Sequence, residues 1–449
     1  ERFSWETPIT PICRYVLGFK AIYDGIPDIV GDCQVNEHYS ANGDALQETA
    51  KGLLVWRKAD NNTAFTDGYR TWVNGPFGIQ QRFNTERFEW ETPIAPPTPT
   101  PTASPTPVPQ VQSQGAKYPG LSYGMQVDQG TNLPRALQML RSAGFTWAKV
   151  QIRWDVVESS RGNINWGYLD GIVNQMSANG VRLLFSFTAA PKWSTPSDYT
   201  DPGPPRDPQD LANFVGAIAA HYPGRVHAYE MWNEQNVFFE WGGRGKRLNA
   251  AKYVELLKAS YIAVKKADPN AVVVSGGLTP TGWNDGDTAY DDLVYMDMMY
   301  QAGVKDYCDA IGVHGNVVMP YAANLAAGAN GDHGSFYFRR FEQIRDIMVK
   351  YGDQDKQMWF TEFGWPTSSE GIPNFPYATR ISEAQQSTWL VEAYQLAKAR
   401  GYVGVMLLWN LNFAPSAEEN DALAKAAYSV LHRDWSPRPG YNALAAMPK

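Results

Sequence analysis

From residue 118 onward, short apolar runs alternate with longer segments whose apolar residues recur every three or four positions. Such runs predict buried strands, and the longer period predicts amphipathic helices. The eight runs, numbered here as predicted strands one to eight, are LSYGMQV, WAKVQIR, VRLLFSF, VHAYEMW, AVVVSGG, AIGVHGN, QMWFTEF and GVMLLWN. Seven helical segments lie between them, several ending at a glycine, and AEENDALAKAAYSVL is a candidate eighth.

This alternation predicts an α/β fold, a (β/α)8 TIM barrel over residues 116–449. A doubly wound open sheet is the alternative. Against it, no Gly-rich dinucleotide or P-loop fingerprint follows the first predicted strand. In a barrel, the carboxyl ends of the strands form the active site.

Composition changes sharply before the barrel. Residues 95–109 hold seven prolines and four threonines, which favour an extended spacer of roughly 3 Å per residue. We therefore predict a Pro/Thr-rich linker over 95–115 and a small β-rich module over 1–94. Its Asn, Asp and Gly turns over 38–76 predict hairpins rather than helices. ERFSWETPITP at 1–11 returns as ERFEWETPIAP at 86–96, matching at nine of eleven positions.

The module weakly resembles the short Gly/Trp-rich repeats of cell-surface and cell-wall-associated proteins. That resemblance implies a carbohydrate-binding or cell-surface role, with a cell-surface glycan as partner. The alternative is that Trp56, Tyr69 and Trp72 only build a small core. Because Pro/Thr linkers are common between modules of secreted enzymes, we expect a secreted or surface-associated protein.

Charge and cysteine content exclude several classes. A net charge of −7 and a pI near 5.5 give no reason to expect nucleic acid as a partner, and no apolar run approaches the ~18 residues of a membrane span. The chain starts without a signal peptide, as a processed or trimmed form would. Cys13 and Cys33 either form a disulfide or remain thiols, like Cys308. No CxxC, HExxH or Cys/His cluster is present, so we predict neither a metal nor a cofactor.

Polar and aromatic residues gather at the predicted strand ends: Arg153 at strand two, Trp193 after strand three, Asn233 and Glu234 at strand four, His314 at strand six, Glu362 at strand seven and Trp409 at strand eight. Retaining glycoside hydrolysis needs two carboxyl groups roughly 5 Å apart. Strands four and seven face each other across a barrel. One glutamate after a strand is usually a cap or ion pair, but two with aromatic flanks indicate catalysis.

MWNEQN together with WFTEFGW resembles the paired signature of glycoside hydrolase clan A, the retaining (β/α)8 glycosidases. The resemblance covers most of residues 118–435. RWDVVESSRGNINWGYLDGIV is similar to the clan's pattern from the second strand to the second helix. APKW, EMWNEQN and TEFGW place the chain nearest to family 39, with families 5 and 42 as alternatives.

The resemblance implies a retaining glycoside hydrolase acting on a poly- or oligosaccharide. Glu234 would be the acid/base and Glu362 the nucleophile. Asn233 would donate to the sugar 2-hydroxyl. The remaining implied contacts are Arg153 to Glu362, His314 to Glu362 or a sugar hydroxyl, Trp409 under the sugar, and Trp193 either stacking on sugar or packing in the core. An acid that must stay protonated suits apolar flanks, and a charged nucleophile suits a nearby cation.

Other functions remain open at this point. GLSYG matches the GxSxG pattern of serine hydrolases, but Ser122 lacks the preceding strand and following helix that a nucleophile elbow needs. A catalytically silent barrel that binds glycans, or a structural surface protein, is the competing class. The sugar, the linkage and the choice between exo and endo cleavage stay undetermined. Clan members often carry His or Asn after strand three, where this chain has Thr188, Ala189 and Ala190.

Overall fold

The structure is a computed structural model that describes residues 13–40, 43–67, 70–83, 88, 90, 118–130, 132–315, 335–369, 372, 376–414 and 420–449. The chain forms two compact units, Glu1–Val108 and Pro109–Lys449. The predicted linker at 95–115 and most of the repeated segments 1–11 and 86–96 lie outside the described residues.

Eight parallel strands close into a barrel in the larger unit, which confirms the predicted (β/α)8 fold and excludes the open sheet. In chain order they are β7 (Ser122–Gln126), β8 (Trp147–Arg153), β9 (Arg182–Thr188), β10 (Ala228–Met231), β11 (Val272–Ser275), β12 (Ala310–Gly315), β13 (Gln357–Phe363) and β14 (Val403–Leu408). β14 pairs with β7 to close the ring. Most strand residues are buried, because helices cover one face and the barrel interior the other.

Helices follow the strands on the outside. They are α3 (Leu133–Ser142), α4 (Trp154–Val157), α5 (Trp166–Ala178), α6 (Pro208–His221), α7 (Ala250–Ala267), α8 (Asp292–Gln301), α9 (Arg340–Lys350), α10 (Glu383–Arg400), α11 (Asn420–Tyr428) and α12 (Pro439–Ala446). Short 3-10 turns cover Phe238–Glu240, Val304–Asp306 and Pro376–Arg380. Asn or Asp side chains cap the starts of α3, α5, α6, α7 and α8, and Ser382 caps α10 in a capping box.

The amino-terminal end of the barrel interior is filled by nine buried apolar residues, called here the apolar plug: Trp147, Leu184, Ala228, Val272, Val274, Ala310, Trp359, Val405 and Leu407. A larger cluster lies between the strands and the surrounding helices. The interior is therefore a packed core at this end, and a cleft can open only at the carboxyl ends of the strands.

The smaller unit contains a six-stranded antiparallel sheet, as the turn pattern predicted. In chain order, the elements of this unit are α1 (Leu17–Gly25), α2 (Pro27–Val30), β1 (His38–Tyr39), β2 (Ala45–Thr49), β3 (Gly52–Arg57), β4 (Asn62–Thr66), β5 (Arg70–Gly75) and β6 (Gly78–Phe83). The two helices were not predicted. Trp72 lies in the core, Trp56 packs partly against it, and Tyr69 lies outside the described residues. Cys13 and Cys33 form a disulfide, with their Cα atoms 5.6 Å apart.

Two expectations from the sequence concern a serine nucleophile at Ser122 and a helix that spans a membrane. Ser122 opens β7, so strand rather than helix follows it, and it lies at the barrel end opposite to the strand mouths. This geometry excludes a nucleophile elbow. Within the described parts of the chain, no helix is both long and apolar enough to cross a bilayer.

Candidate active site

Glu234 lies just beyond β10 in a turn with unusual backbone geometry. Trp232 has a φ of 74° and Glu234 a φ of 43°, a left-handed region that non-glycine residues rarely adopt and that costs free energy. The turn is held by a hydrogen bond from the Glu234 backbone N–H to the Gly277 carbonyl (3.0 Å) and by one from Gln235 Nε2 to the Gly276 carbonyl (2.9 Å). The Glu234 carboxyl group is thereby fixed at the strand mouth, with 8 % of the residue exposed.

Glu362 reaches the same mouth through an irregularity in β13. Val313 on β12 pairs with Phe360, but the next residue, His314, pairs with Glu362, so Thr361 is skipped in the ladder. Strand side chains alternate between the two faces, and Phe360 packs on the helix-facing side. The extra residue therefore turns Glu362 toward the interior, as bulges beside active sites often do.

The cation in contact with Glu362 is Lys149, not Arg153 as the sequence suggested. Lys149 Nζ lies 2.8 Å from Glu362 Oε1 and 2.9 Å from Glu230 Oε2, and its side chain is fully buried. Burial lowers the pKa of Lys149, but the charges of Glu230 and Glu362 outweigh it and raise the pKa above its usual value. Arg153 instead forms an ion pair with Asp155 (2.7 Å) and is largely exposed at the end of β8.

His314 contacts a glutamate other than the one that the resemblance implied, while its alternative contact with a sugar hydroxyl stays a prediction. Its Nδ1 lies 2.9 Å from Glu234 Oε1, so its direct partner is the expected acid/base rather than Glu362. Its Nε2 lies 3.9 Å from Glu230 Oε1. Burial lowers the pKa of His314, but Glu362, Glu230 and Glu234 outweigh burial and raise it to about 9. The imidazole is therefore charged at neutral pH, with Nδ1–H donating to Glu234, while Nε2 has no hydrogen-bond partner among the described residues.

Together these groups form a buried ion chain: Glu362, Lys149, Glu230, His314 and Glu234. Glu230 is completely buried. Burial raises its pKa, but Lys149 and His314 outweigh this and hold the pKa well below the usual range. The Gly277 N–H donates to Glu230 (3.2 Å), and a Cβ at Gly277 would come within 2.2 Å of the His314 ring. Only a glycine lets the imidazole approach so closely.

Asn233 is buried beside Glu234, and the nitrogen and the oxygen of its side-chain amide differ in their hydrogen bonding. Its Nδ2 donates to Glu240 Oε1 at 3.2 Å, while its Oδ1 is buried without a hydrogen-bond partner among the described residues. One amide hydrogen is therefore still available. A sugar hydroxyl could complete the hydrogen bonding of this amide, which fits the predicted contact.

The tryptophans at the strand ends differ in their surroundings. Trp409, after β14, is partly exposed, and its ring centroid lies 4.7 Å from that of Tyr428. Trp193 is partly buried: its Nε1 donates to the Glu158 carbonyl (3.0 Å), and the Arg161 guanidinium lies 4.4 Å above its ring. Trp365, just beyond β13, is 1 % exposed and belongs to the core.

Sequence reasoning missed Lys149, Glu230 and Glu240. A signal was present for the first two, because each places a charge in the middle of a strand that is otherwise buried, and the two charges are opposite. Buried charges are normally paired, so WAKVQIR and VHAYEMW together predict an ion pair inside the barrel. Glu240 has no such signal, since it lies in a loop after the strand.

Comparisons with known proteins agree with this fold. No protein-family model matches the chain. A family 39 glycoside hydrolase from Bacteroides cellulosilyticus WH2 is similar over 92 % of this chain and 76 % of its own, with 18 % identity and a TM-score of 0.54. GH5_18 from Streptomyces cattleya, solved in complex with GlcNAc, is similar over 74 % of this chain and 80 % of its own, with 12 % identity and a TM-score of 0.56.

Among curated proteins, endo-1,4-beta-xylanase 3 of Hypocrea jecorina is 26 % identical over 125 residues. This match covers 27 % of the chain, and the chain spans about a third (34 %) of that enzyme's length. The structural neighbours are thus glycoside hydrolases of clan A, as the sequence resemblance implied, and they share the barrel fold of this chain.

Proposed function

We propose that the chain is a retaining glycosidase in which Glu234 is the acid/base and Glu362 the nucleophile. The observation that carries the proposal is the position of His314, which contacts Glu234 at 2.9 Å and is the register partner of Glu362. Two carboxyl groups, one just beyond β10 and one on β13, therefore interact with the same imidazole at one barrel mouth. Double displacement at an anomeric carbon needs two carboxyl groups on opposite sides of the sugar.

In the first step, a Glu362 oxygen bonds to the anomeric carbon while the glycosidic C–O bond breaks and Glu234 gives its proton to the leaving oxygen. His314 Nδ1–H donates to Glu234 Oε1, which leaves Oε2 to carry the transferable proton. Lys149 and His314 carry two positive charges that balance Glu230 and Glu362. The ion chain is thus neutral while Glu234 holds its proton, and such balance lowers the cost of burying the charges.

In the second step, water bonds to the anomeric carbon, its proton returns to Glu234, and the glycosyl–Glu362 ester bond breaks. Asn233 would donate to the sugar 2-hydroxyl, a contact that strengthens as positive charge develops in the ring. Trp409 would form the apolar floor of the site. Arg153 and Trp193, nearer the rim, would contact sugar units farther along the substrate.

The substrate we propose is a poly- or oligosaccharide. The local similarity to a xylanase makes β-1,4-xylan the first polymer to assay, followed by glucans, mannans and arabinose- or galactose-containing polymers. We further propose a secreted or surface-associated enzyme whose small module binds a cell-surface glycan. Binding of the isolated polysaccharides by the full chain, measured with and without residues 1–94, tests the module.

The decisive experiment for retention follows the first product by proton NMR. Wild type is incubated with a panel of aryl β-glycosides and polysaccharides, and the first-formed anomer is recorded before mutarotation. A retaining enzyme releases the β-anomer. Glu234→Ala should cleave dinitrophenyl glycosides, whose leaving group needs no proton, far better than alkyl glycosides.

Glu255→Gln, an exposed change on α7, is the matched control and should behave as wild type. First release of the α-anomer would exclude retention. Binding of sugars without cleavage of any of them would instead indicate a catalytically silent barrel.

A further inference from the structure

A third carboxyl group, that of Glu240, lies beside the two proposed catalytic ones. Glu240 ends the 3-10 turn Phe238–Glu240, six residues after Glu234. Trp232 Nε1 donates to the Glu240 carbonyl at 2.9 Å, and Asn233 Nδ2 donates to its side-chain Oε1 at 3.2 Å. Glu240 therefore holds both residues that lead into the strained turn of Glu234.

The surroundings of this group are unfavourable to a carboxylate. Loss of hydration raises the pKa of Glu240, and Glu234, after β10, and Glu362, on β13, raise it further to about 8. The hydrogen bond from Asn233 and the charge of His314 on β12 act in the opposite direction but are weaker. A glutamine would make the same contact with Asn233 without this cost, so replacing Glu240 by glutamine keeps the contact and removes only the titratable group.

We propose that Glu240 is a positioning residue for Asn233: its Oε1 accepts one hydrogen of the amide and thereby leaves the second for the 2-hydroxyl of the sugar. Because Oε1 accepts from Nδ2, this contact sets which way round the amide lies. The inference rests on the proposed function, because it assigns Glu240 to the sugar that Glu234 and Glu362 act on. It adds a residue from the loop after β10 to the binding of that sugar.

The test combines an enzyme change with a substrate change. Glu240→Ala should lower kcat/KM about 10- to 100-fold on an aryl β-glycoside, because Asn233 loses its orientation. On the matching 2-deoxyglycoside, which lacks the hydroxyl, the same variant should stay within about threefold of wild type. Asn233→Ala is the reference and should show the same dependence on the 2-hydroxyl.

Glu240→Gln separates positioning from charge. Its side-chain oxygen still accepts from Asn233, so kcat/KM at pH 6 should remain within about threefold of wild type. Above pH 8, wild type should lose activity relative to Glu240→Gln, since only the carboxyl group then gains a negative charge beside Glu234, which must itself become negative in the first step.

An activity-independent measurement uses protein labelled with 15N-asparagine. The side-chain amide signal of Asn233, identified by its absence in Asn233→Ala, should shift with pH near 8 in wild type and stay constant in Glu240→Gln. A constant signal in wild type, or an equal loss by Glu240→Ala on both glycosides, overturns the inference. Full activity of Glu362→Gln would overturn the proposed function instead, while the amide titration would still test the Glu240–Asn233 contact.

Discussion

The two ends of the barrel interior are built from the same strands but from opposite kinds of residue. On β8, Trp147 belongs to the apolar plug and Lys149, two residues later on the same inward face, belongs to the buried ion chain. On β10, Ala228 and Glu230 are related in the same way. Two residues along each strand, which is one repeat of the side-chain alternation, therefore separate an apolar layer that stabilises the fold from a layer of buried charged groups.

The comparison predicts that changes at the two ends have different consequences. An apolar layer contributes through burial and packing, so truncating it should cost stability and leave the chemistry of the folded enzyme unchanged. The ion chain has balanced charges, so removing one member leaves its partner buried and unpaired and should affect both stability and activity.

The largest effect is expected from removing the proposed nucleophile. Glu362→Gln keeps the shape of the side chain but cannot form the glycosyl ester, so kcat should fall at least about 10⁴-fold. Steady-state rates on an activated aryl glycoside measure this, with circular dichroism as the control for folding. Activity within tenfold of wild type would contradict the assigned role.

Lys149→Met and Leu407→Ala test the two ends against each other. Lys149→Met should lower the free energy of unfolding by about 3–5 kcal/mol and also reduce kcat, because Glu230 and Glu362 lose their shared cation. Leu407→Ala should cost about 2–5 kcal/mol with kcat unchanged. Urea unfolding and kcat at 25 °C give both quantities. Equal effects of the two variants on kcat would remove the distinction between the layers.

The pH dependence of the free energy of unfolding tests whether His314 is protonated in the folded protein. The pKa of His314 in the folded protein is raised to about 9, above an unfolded value near 6.5. Its contribution, on the order of 3 kcal/mol, is therefore fully present below about pH 6.5 and lost as the pH rises through 9. Urea unfolding between pH 6 and 10 should show this decline. In His314→Gln the decline should be smaller, because only the part that Glu240 contributes below about pH 8 remains, and an unchanged decline would assign it to another group.

The smallest effect is expected for Arg153→Ala. The ion pair with Asp155 is exposed, so the loss of stability should stay below about 1 kcal/mol and kcat should change less than about threefold. A change in KM for long oligosaccharides alone would place Arg153 in contact with the substrate. A decrease in kcat as large as that of Lys149→Met would instead support the contact between Arg153 and Glu362 that the sequence predicted.

The sequence was sufficient for the barrel because its strands are buried on both faces and read as uninterrupted apolar runs. It did not show how far along the barrel axis each side chain lies. Arg153 and Lys149 share an inward face of β8, but tilted and staggered strands place residues at different heights for the same distance from a strand end. Arg153 therefore ends at the rim, and Lys149 reaches Glu362.

The inward orientation of Glu362 could not be predicted from the alternation of strand residues, for a different reason. Strict alternation from Phe360 would point Glu362 toward the helices, and only the register shift between β12 and β13 turns it inward. The glutamate pair was predicted from its flanks and from a family resemblance, not from strand period. Glu240 was missed because a loop carries no period by which contacts can be predicted.

The Cys13–Cys33 disulfide makes the two units respond differently to reduction. It closes a loop of about 20 residues in a module with a small core, a constraint that stabilises by about 3 kcal/mol. The barrel depends on no such bond among its described residues. Its thiol, Cys308, is 1 % exposed, and burial raises its pKa to about 12, so it is a poor nucleophile. A reducing environment should thus destabilise the small unit and leave the barrel intact. Under the function proposed above, it would remove binding to the cell-surface glycan without removing hydrolysis.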